Sequence, residues 1–146
     1  GYGCVECHGP RRETTLIEAG VLRFKAQQSL EARLEQLHEA IEGLIEQLRP
    51  QRVAVEKLFA HYKHPRTAIV MGHARGVILL AAEQAKLSVE HLPSTEVKKS
   101  ICGNGHASKQ QIQRAVAACY RLPEPPSPPD VADAIAIATT AARRIL

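Results

Sequence analysis

A chain of 146 residues with 45% apolar content is long enough to bury the core of one ordinary domain, and no run in it approaches the length needed to cross a bilayer. A formal charge of +4 and a pI near 9.0 suit an anionic partner without singling out nucleic acid. Cys4, Cys7, Cys102 and Cys119 are too few and too unevenly spread for a disulfide framework, so a soluble protein of a reducing compartment is expected, with no membrane partner.

The chain opens on Gly1-Tyr2-Gly3-Cys4-Val5-Glu6-Cys7, turns at His8 to Arg12 and resumes a β-rich pattern from Thr14 to Phe24, which predicts a hairpin. Its first strand starts at residue 1 with no lead-in, so preceding material is expected. Cys4-Val5-Glu6-Cys7-His8 has the spacing of a c-type haem attachment site. Adjacent strand residues alternate faces, and a strand running into a turn is poor geometry for that attachment, so we read the match as coincidence. From Ser29 the period becomes 3.6: Leu30, Leu34, Leu37, Ile41, Leu44, Ile45 and Leu48 share a stripe, with Glu31, Glu35, Glu39, Glu42 and Glu46 off it. That pattern predicts an amphipathic helix with a solvated acidic face, stopped by Pro50.

The run Arg52-Val-Ala-Val-Glu-Lys-Leu-Phe59 is β-branched and bounded by Pro50 and by His61 to Pro65, which predicts an interior strand. Alternation sets Val53 and Val55 on one face, and Ala54, Glu56 and Leu58 on the other, so Glu56 projects among small apolar groups. An acid there is costly unless a positive charge meets it. The plainer reading is an edge or strand-end Glu paired with a nearby Lys or Arg.

A second helix is expected from about Arg66 to Lys86, with Ala68, Gly72 and Gly76 at every fourth position leaving a groove without side chains. Two mid-helix glycines cost about 1 kcal/mol each against Ala, so close approach of another backbone, the sheet's or a second subunit's, is expected in compensation. Leu87 to Leu92 reads as a final short strand, and Ser94 opens a third helix carrying Lys98 and Lys99. The loop Ile101-Cys-Gly-Asn-Gly-His106 leads to a fourth helix over Ala107 to Arg121, with Ser108 and Gln111 spaced as a capping box and Lys109 in the first turn. Free amides at a helix start attract anions, and a Lys there is unfavourable without one; an exposed loop Lys is the bland alternative. Prolines at 123, 125, 126, 128 and 129 predict a stiff, extended connector. The last helix starts at Asp130-Val-Ala-Asp133, whose carboxylates share a face three residues apart, although N-capping by Asp130 and a dipole role for Asp133 would explain both without catalysis.

Taken together, three acids and a phosphate-friendly loop on strands and helices fit a divalent-metal phosphodiesterase site. Oxygen ligands favour Mg2+ or Mn2+ over Zn2+, and two ions roughly 3.5 to 4 Å apart would suit an in-line displacement at phosphorus. A metal pair of His61 and His64 is the weaker reading, lacking a third imidazole or a cysteine nearby.

The blocks Val53-Ala-Val-Glu-Lys-Leu-Phe59, Gly72-His-Ala-Arg-Gly-Val77, Glu96-Val-Lys-Lys99, Gly103-Asn-Gly-His-Ala-Ser-Lys-Gln-Gln-Ile112 and Asp130-Val-Ala-Asp-Ala-Ile-Ala-Ile-Ala138, with the opening Gly1-Tyr2-Gly3, stand in an order and spacing that resembles the RuvC-type Holliday-junction resolvases of bacteria. The resemblance runs nearly end to end. It implies a single α/β domain over residues 1–146, an RNase H-like fold with a mixed five-stranded sheet flanked by helices, in a cytoplasmic homodimer that nicks opposed strands of a four-way DNA junction in recombination and repair. It implies that Glu56, Asp130 and Asp133 hold two Mg2+ ions, for which Mn2+ would substitute. Lys98 and Lys109 would handle the scissile phosphate and backbone, Phe59 would stack on unpaired bases with help from Tyr62, and RuvA and RuvB would be partners.

Two departures stand out. The family carries an Asp-Pro-Gly motif on a strand upstream of Thr-Gly-Tyr-Gly, so that strand and its metal-binding Asp are absent from these 146 residues, and His73 stands where the family usually has Gln. An N-terminally truncated chain that binds junctions without cutting them is therefore the alternative. Another RNase H-like nuclease, acting on RNA or single strands, is a second rival.

Overall fold

The computed structural model describes residues 1–59 and 63–144. Two compact units emerge: Gly1–Val21 with Ala54–Glu56 and Glu90–Leu146, and Leu22–Val53 with Lys57–Val89.

In the first unit, β1 (Tyr2–His8) pairs antiparallel with β2 (Glu13–Gly20), with an irregularity between Cys4 and Val5. Gly9 (φ 64°) and Arg12 (φ 54°) turn the chain between them, and the expected hairpin is present. The second strand stops at Gly20, paired with Tyr2, rather than at Phe24. Cys4 and Cys7 are free thiols on β1, as are Cys102 and Cys119 elsewhere.

The other helices of this unit are α3 (Ser94–Cys102), α4 (Lys109–Tyr120) and α5 (Pro129–Arg143). Helices α1 (Leu30–Leu48) and α2 (Pro65–Gln84) belong to the second unit. Helix α5 lies on the hairpin so closely that a Cβ on Gly3 would sit 3.1 Å from the Ile135 backbone, which is why that position needs glycine. Alanines on α5 allow the approach: Ala132, Ala136, Ala141 and Ala142 are buried with Val131 and Ile135. Leu92, Val97, Ile112 and Val116 complete the core. Burying a branched side chain contributes about 1.5–3 kcal/mol, so this core is the main stabilising mass of the unit. The Tyr120 hydroxyl lies 2.6 Å from Thr139 Oγ1 and 3.1 Å from Thr14 Oγ1, satisfying three hydroxyls where α4, α5 and β2 meet.

The connector before α5 bends at Pro123–Glu124 and at Ser127–Pro128 instead of running fully extended. Fixed proline φ angles allow turns as well as polyproline geometry. Gln113 donates from its side chain to the Pro126 carbonyl and fastens the connector to α4.

In the second unit, Ser29 caps α1 through a 3.1 Å bond from the Ala32 amide, and α1 packs on α2. His38, on the flank of the acidic face, lies 2.7 Å from the Gln84 side chain and ties the two helices together. The compensation expected for the glycines of α2 is not found among the described residues. A Cβ on Gly72 would touch only Leu58 Cδ2 at 3.8 Å, and one on Gly76 would meet nothing within 4 Å. Ile69, Val70, Met71 and Leu80 on the same helix are exposed.

β3 (Arg52–Glu56) pairs with β4 (Ser88–Leu92). The expected strand therefore ends three residues early, at Glu56, with Lys57 to Phe59 outside any ladder. It is also not interior: the described residues form two two-stranded sheets, not one sheet of five strands. The further strand implied by the resemblance carries the Asp-Pro-Gly motif, which is not among the 146 residues.

Candidate metal-dependent phosphodiester site

Glu56 is the last residue of β3, and its neighbour Val55 is turned into the protein. At the strand end, the Glu56 side chain is no longer held by ladder neighbours and meets α3 and α5 instead. Burial and the Asp133 charge raise its pKa above the ordinary carboxylate range, while Lys98 and a hydrogen bond from Ser94 act in the opposite sense. Asp133 is likewise raised by burial and by Asp130, against the lowering effects of Lys109 and Lys98. Glu56, Asp130, Asp133, Lys98 and Lys109 thus form one electrostatic neighbourhood in the first unit.

The elements explain this gathering. On α5 the spacing of three residues sets Asp130 and Asp133 on a common side, while Val131, Ala132 and Ile135 are buried. Asp130 does not cap the helix: Pro128 is the N-cap, without a side-chain bond, and Asp130 lies in the first turn. The capping explanation fails for this residue, though its charge still favours the positive end of the helix dipole. Lys109 is the first residue of α4, directly after a complete capping box: Ser108 Oγ accepts from the Gln111 amide at 3.2 Å, and Gln111 Oε1 accepts from the Ser108 amide at 2.7 Å. No acidic residue occupies that first turn. A cation beside the positive helix end is repelled, and the negative Asp133 compensates it.

Carboxylates close enough to raise one another's pKa are hard oxygen donors of the kind that suit a divalent cation, and here Lys98 and Lys109 offset part of their charge. Among the described residues no three His, Cys, Asp or Glu side chains form a group able to hold a metal ion on their own. Glu56, Asp130 and Asp133 therefore do not close into one such group.

Phe59 belongs to the second unit and is 60% exposed, an accessible ring without a ladder or core role. Tyr62 and His61 lie outside the described residues. Ser94 was not singled out from sequence; its one legible signal is its place four residues before Lys98, on the same side of α3.

Comparison with known proteins adds an independent line. The sequence model of "Crossover junction endodeoxyribonuclease RuvC" matches residues 1–141. The protein of that name from Rhodopirellula baltica is 47% identical over 137 residues, 94% of this chain and 76% of its own. The one from Heliobacterium modesticaldum is 41% identical over 145 residues, 99% of this chain and 88% of its own. Among solved structures, Thermus thermophilus RuvC in complex with a Holliday junction substrate superposes with a TM-score of 0.86 at 32% identity, covering 96% of this chain and 84% of that one. A second Thermus thermophilus RuvC structure gives a TM-score of 0.84 at 32% identity over 97% of this chain and 85% of its own, and the fold is RNase H-like. With sequence and backbone agreeing over nearly its whole length, this chain belongs to the RuvC family of crossover junction endodeoxyribonucleases.

Proposed function

We propose that this protein is a structure-specific endonuclease that resolves four-way DNA junctions by hydrolysing phosphodiester bonds in opposed strands. RuvC nucleases are metal-dependent. The observation that carries the reading is the family match over residues 1–141, and at the residue level it is supported by Glu56, at the exposed end of β3, lying near enough to the partly buried Asp133 for that charge to raise its pKa, with Lys98 acting on both. Such an arrangement is costly in a bare protein and useful in one that binds a cation and a phosphate.

Glu56, Asp130 and Asp133 would hold Mg2+, two ions per site with Mn2+ as a substitute. When bound, the metal orients water and neutralises charge at the leaving 3′-oxygen. Lys98 and Lys109 attract the phosphate backbone and hold it over the acids, with the free amides at the start of α4 adding positive potential. Phe59, and Tyr62 beside it in sequence, would stack on bases that unpair at the crossover.

The exposed apolar face of α2, with its uncovered Gly76, supports a homodimer in which two copies of this helix meet. A dimer would supply the two cuts that resolution requires. RuvA and RuvB remain proposed partners. No helix among the described residues is long and apolar enough to cross a membrane, and the free cysteines support a reducing bacterial cytoplasm as the location.

Synthetic four-way junctions test the reading. Glu56→Gln and Asp133→Asn are each expected to lower Mg2+-dependent nicking by about a thousandfold or more, with junction affinity changed by no more than about twofold. Loss of binding alongside cutting would instead assign these acids to the fold. Tight binding by the wild type without any nicking would favour the non-cutting junction binder.

A further inference from the structure

Helices α3 and α4, with the loop that joins them, enclose a cleft of about 330 Å³. Its floor is apolar, made of Ile101, Cys102, Ala107 and Ala115, and burial pushes the Cys102 thiol up, so it stays protonated and adds no charge. Its rim is Asn104, Gln111 and Arg114. Both amide oxygens there are already engaged: Asn104 Oδ1 accepts from the His106 amide at 2.9 Å, and Gln111 Oε1 from the Ser108 amide at 2.7 Å. Each side chain therefore leaves its NH2 group as the free end, and Arg114 pairs with no carboxylate among the described residues. The rim offers donors and no acceptor.

Local bonds hold the cleft in shape. Gly103 (φ 73°) ends α3 with its amide bonded to the Lys99 carbonyl at 2.9 Å, the Ala107 amide bonds the Asn104 carbonyl at 3.2 Å, and a Cβ at Gly105 would come within 3.1 Å of the Thr95 carbonyl oxygen. Groups ordered in advance lose little freedom when a ligand arrives. Helical geometry also turns the cleft away from Lys109: at about 100° per residue, Gln111, Arg114 and Ala115 lie about 120–160° around α4 from it. Arg121, seven residues beyond Arg114, lies on the same flank about 10.5 Å further along the axis. Helix α4 contains no acidic residue to neutralise that flank.

We propose that the α3–α4 cleft is a docking site for an acidic segment of a second protein, which seats one aliphatic side chain on the floor and sets carboxylates against Arg114 and Arg121. The apolar floor gains from covering an aliphatic group, and a phosphate backbone has none to offer. The donor rim and two unpaired guanidinium groups complement carboxylates, which accept from arginine in pairs of parallel bonds. The choice of a protein over DNA rests on the nuclease reading, which sets the phosphates on the Lys109 side of α4. The cleft then stays accessible while a junction is bound, so partner and DNA are held together.

The test uses the whole chain and, as probe, a labelled, capped peptide with leucine set between aspartate and glutamate residues. Binding is followed by fluorescence anisotropy, and occupancy of the floor by the rate of Cys102 alkylation, read by mass spectrometry. A Kd below about 1 mM at low salt is expected, with Cys102 alkylated about threefold more slowly at saturation. Serine in place of the leucine, and Arg114→Glu in the protein, are each expected to weaken binding about fivefold or more. Arg114→Glu is expected to nick four-way junctions at the wild-type rate. Absence of peptide binding up to about 5 mM overturns the proposal, and so does equal binding of the serine peptide, which would mark a merely electrostatic surface. If Arg114→Glu instead weakens junction binding, the cleft belongs to a DNA arm; if it alters self-association in sedimentation, it belongs to a second copy; either result overturns the proposal. Should the wild type bind the peptide as expected but fail to cut junctions, the nuclease reading fails and the docking site stands.

Discussion

At the scale of single residues the acids carry an energetic signature. A carboxyl whose folded pKa lies above its unfolded value binds its proton more tightly in the folded state, so stability falls as pH rises from the ordinary value through the raised one, and stays lower beyond it. Glu56 and Asp133 are both raised, burial being the first cause and a neighbouring acid adding to it. Metal-free Glu56→Gln is therefore expected to melt about 1–4 °C above wild type at neutral pH, with the difference closing below the ordinary carboxylate range. Melting curves in EDTA across pH check this, and coincident curves would show that Glu56 bears no such penalty. Lys109 acts differently, as a cation toward DNA. Lys109→Ala is expected to slow nicking and to flatten the plot of log affinity against log salt by about one unit of slope. An unchanged slope would remove it from the phosphate path.

At the scale of elements, α2 is the helix whose exposed surface calls for an explanation. A Cβ on Gly76 meets nothing within 4 Å, so Gly76→Ala should gain helix propensity of about 0.5–1 kcal/mol in a denaturant melt of the isolated chain. If the same face closes on a second copy, the added methyl group stands where two backbones meet. Sedimentation is then expected to show self-association weakened by about tenfold. Stabilisation with unaltered association would move the dimer contact off this face. The small residues of α5 show the opposite situation, since its alanines are buried and Gly3 lies against the Ile135 backbone. One pattern of small residues marks a filled contact and the other an open one, and sequence spacing looks alike in both.

At the scale of the whole molecule, the proposed function requires a preference for branched DNA over linear duplex. Basic charge alone would bind any duplex, because phosphate contacts carry no information about branching. Competition should reveal the difference: about a hundredfold excess of linear duplex is expected to leave junction binding largely intact at physiological salt. Equal displacement by linear duplex, RNA or single strands would favour another RNase H-like nuclease.

Much of this protein was readable along the chain. The helix from Leu30, the capping box of Ser108 and Gln111, and the shared side of Asp130 and Asp133 rest on contacts within a few residues, and the hairpin on two adjacent strands joined by one turn, so spacing and side-chain chemistry are sufficient. The blocks around Glu56, Lys109 and Asp130 also sufficed to indicate the family. What spacing could not supply depends on residues far apart in sequence. That β3 stops at Glu56 and that Asp133 lies near enough to raise its pKa are consequences of how the chain packs. Desolvation and electrostatic coupling arise only when distant segments exclude water together, and no local pattern encodes them.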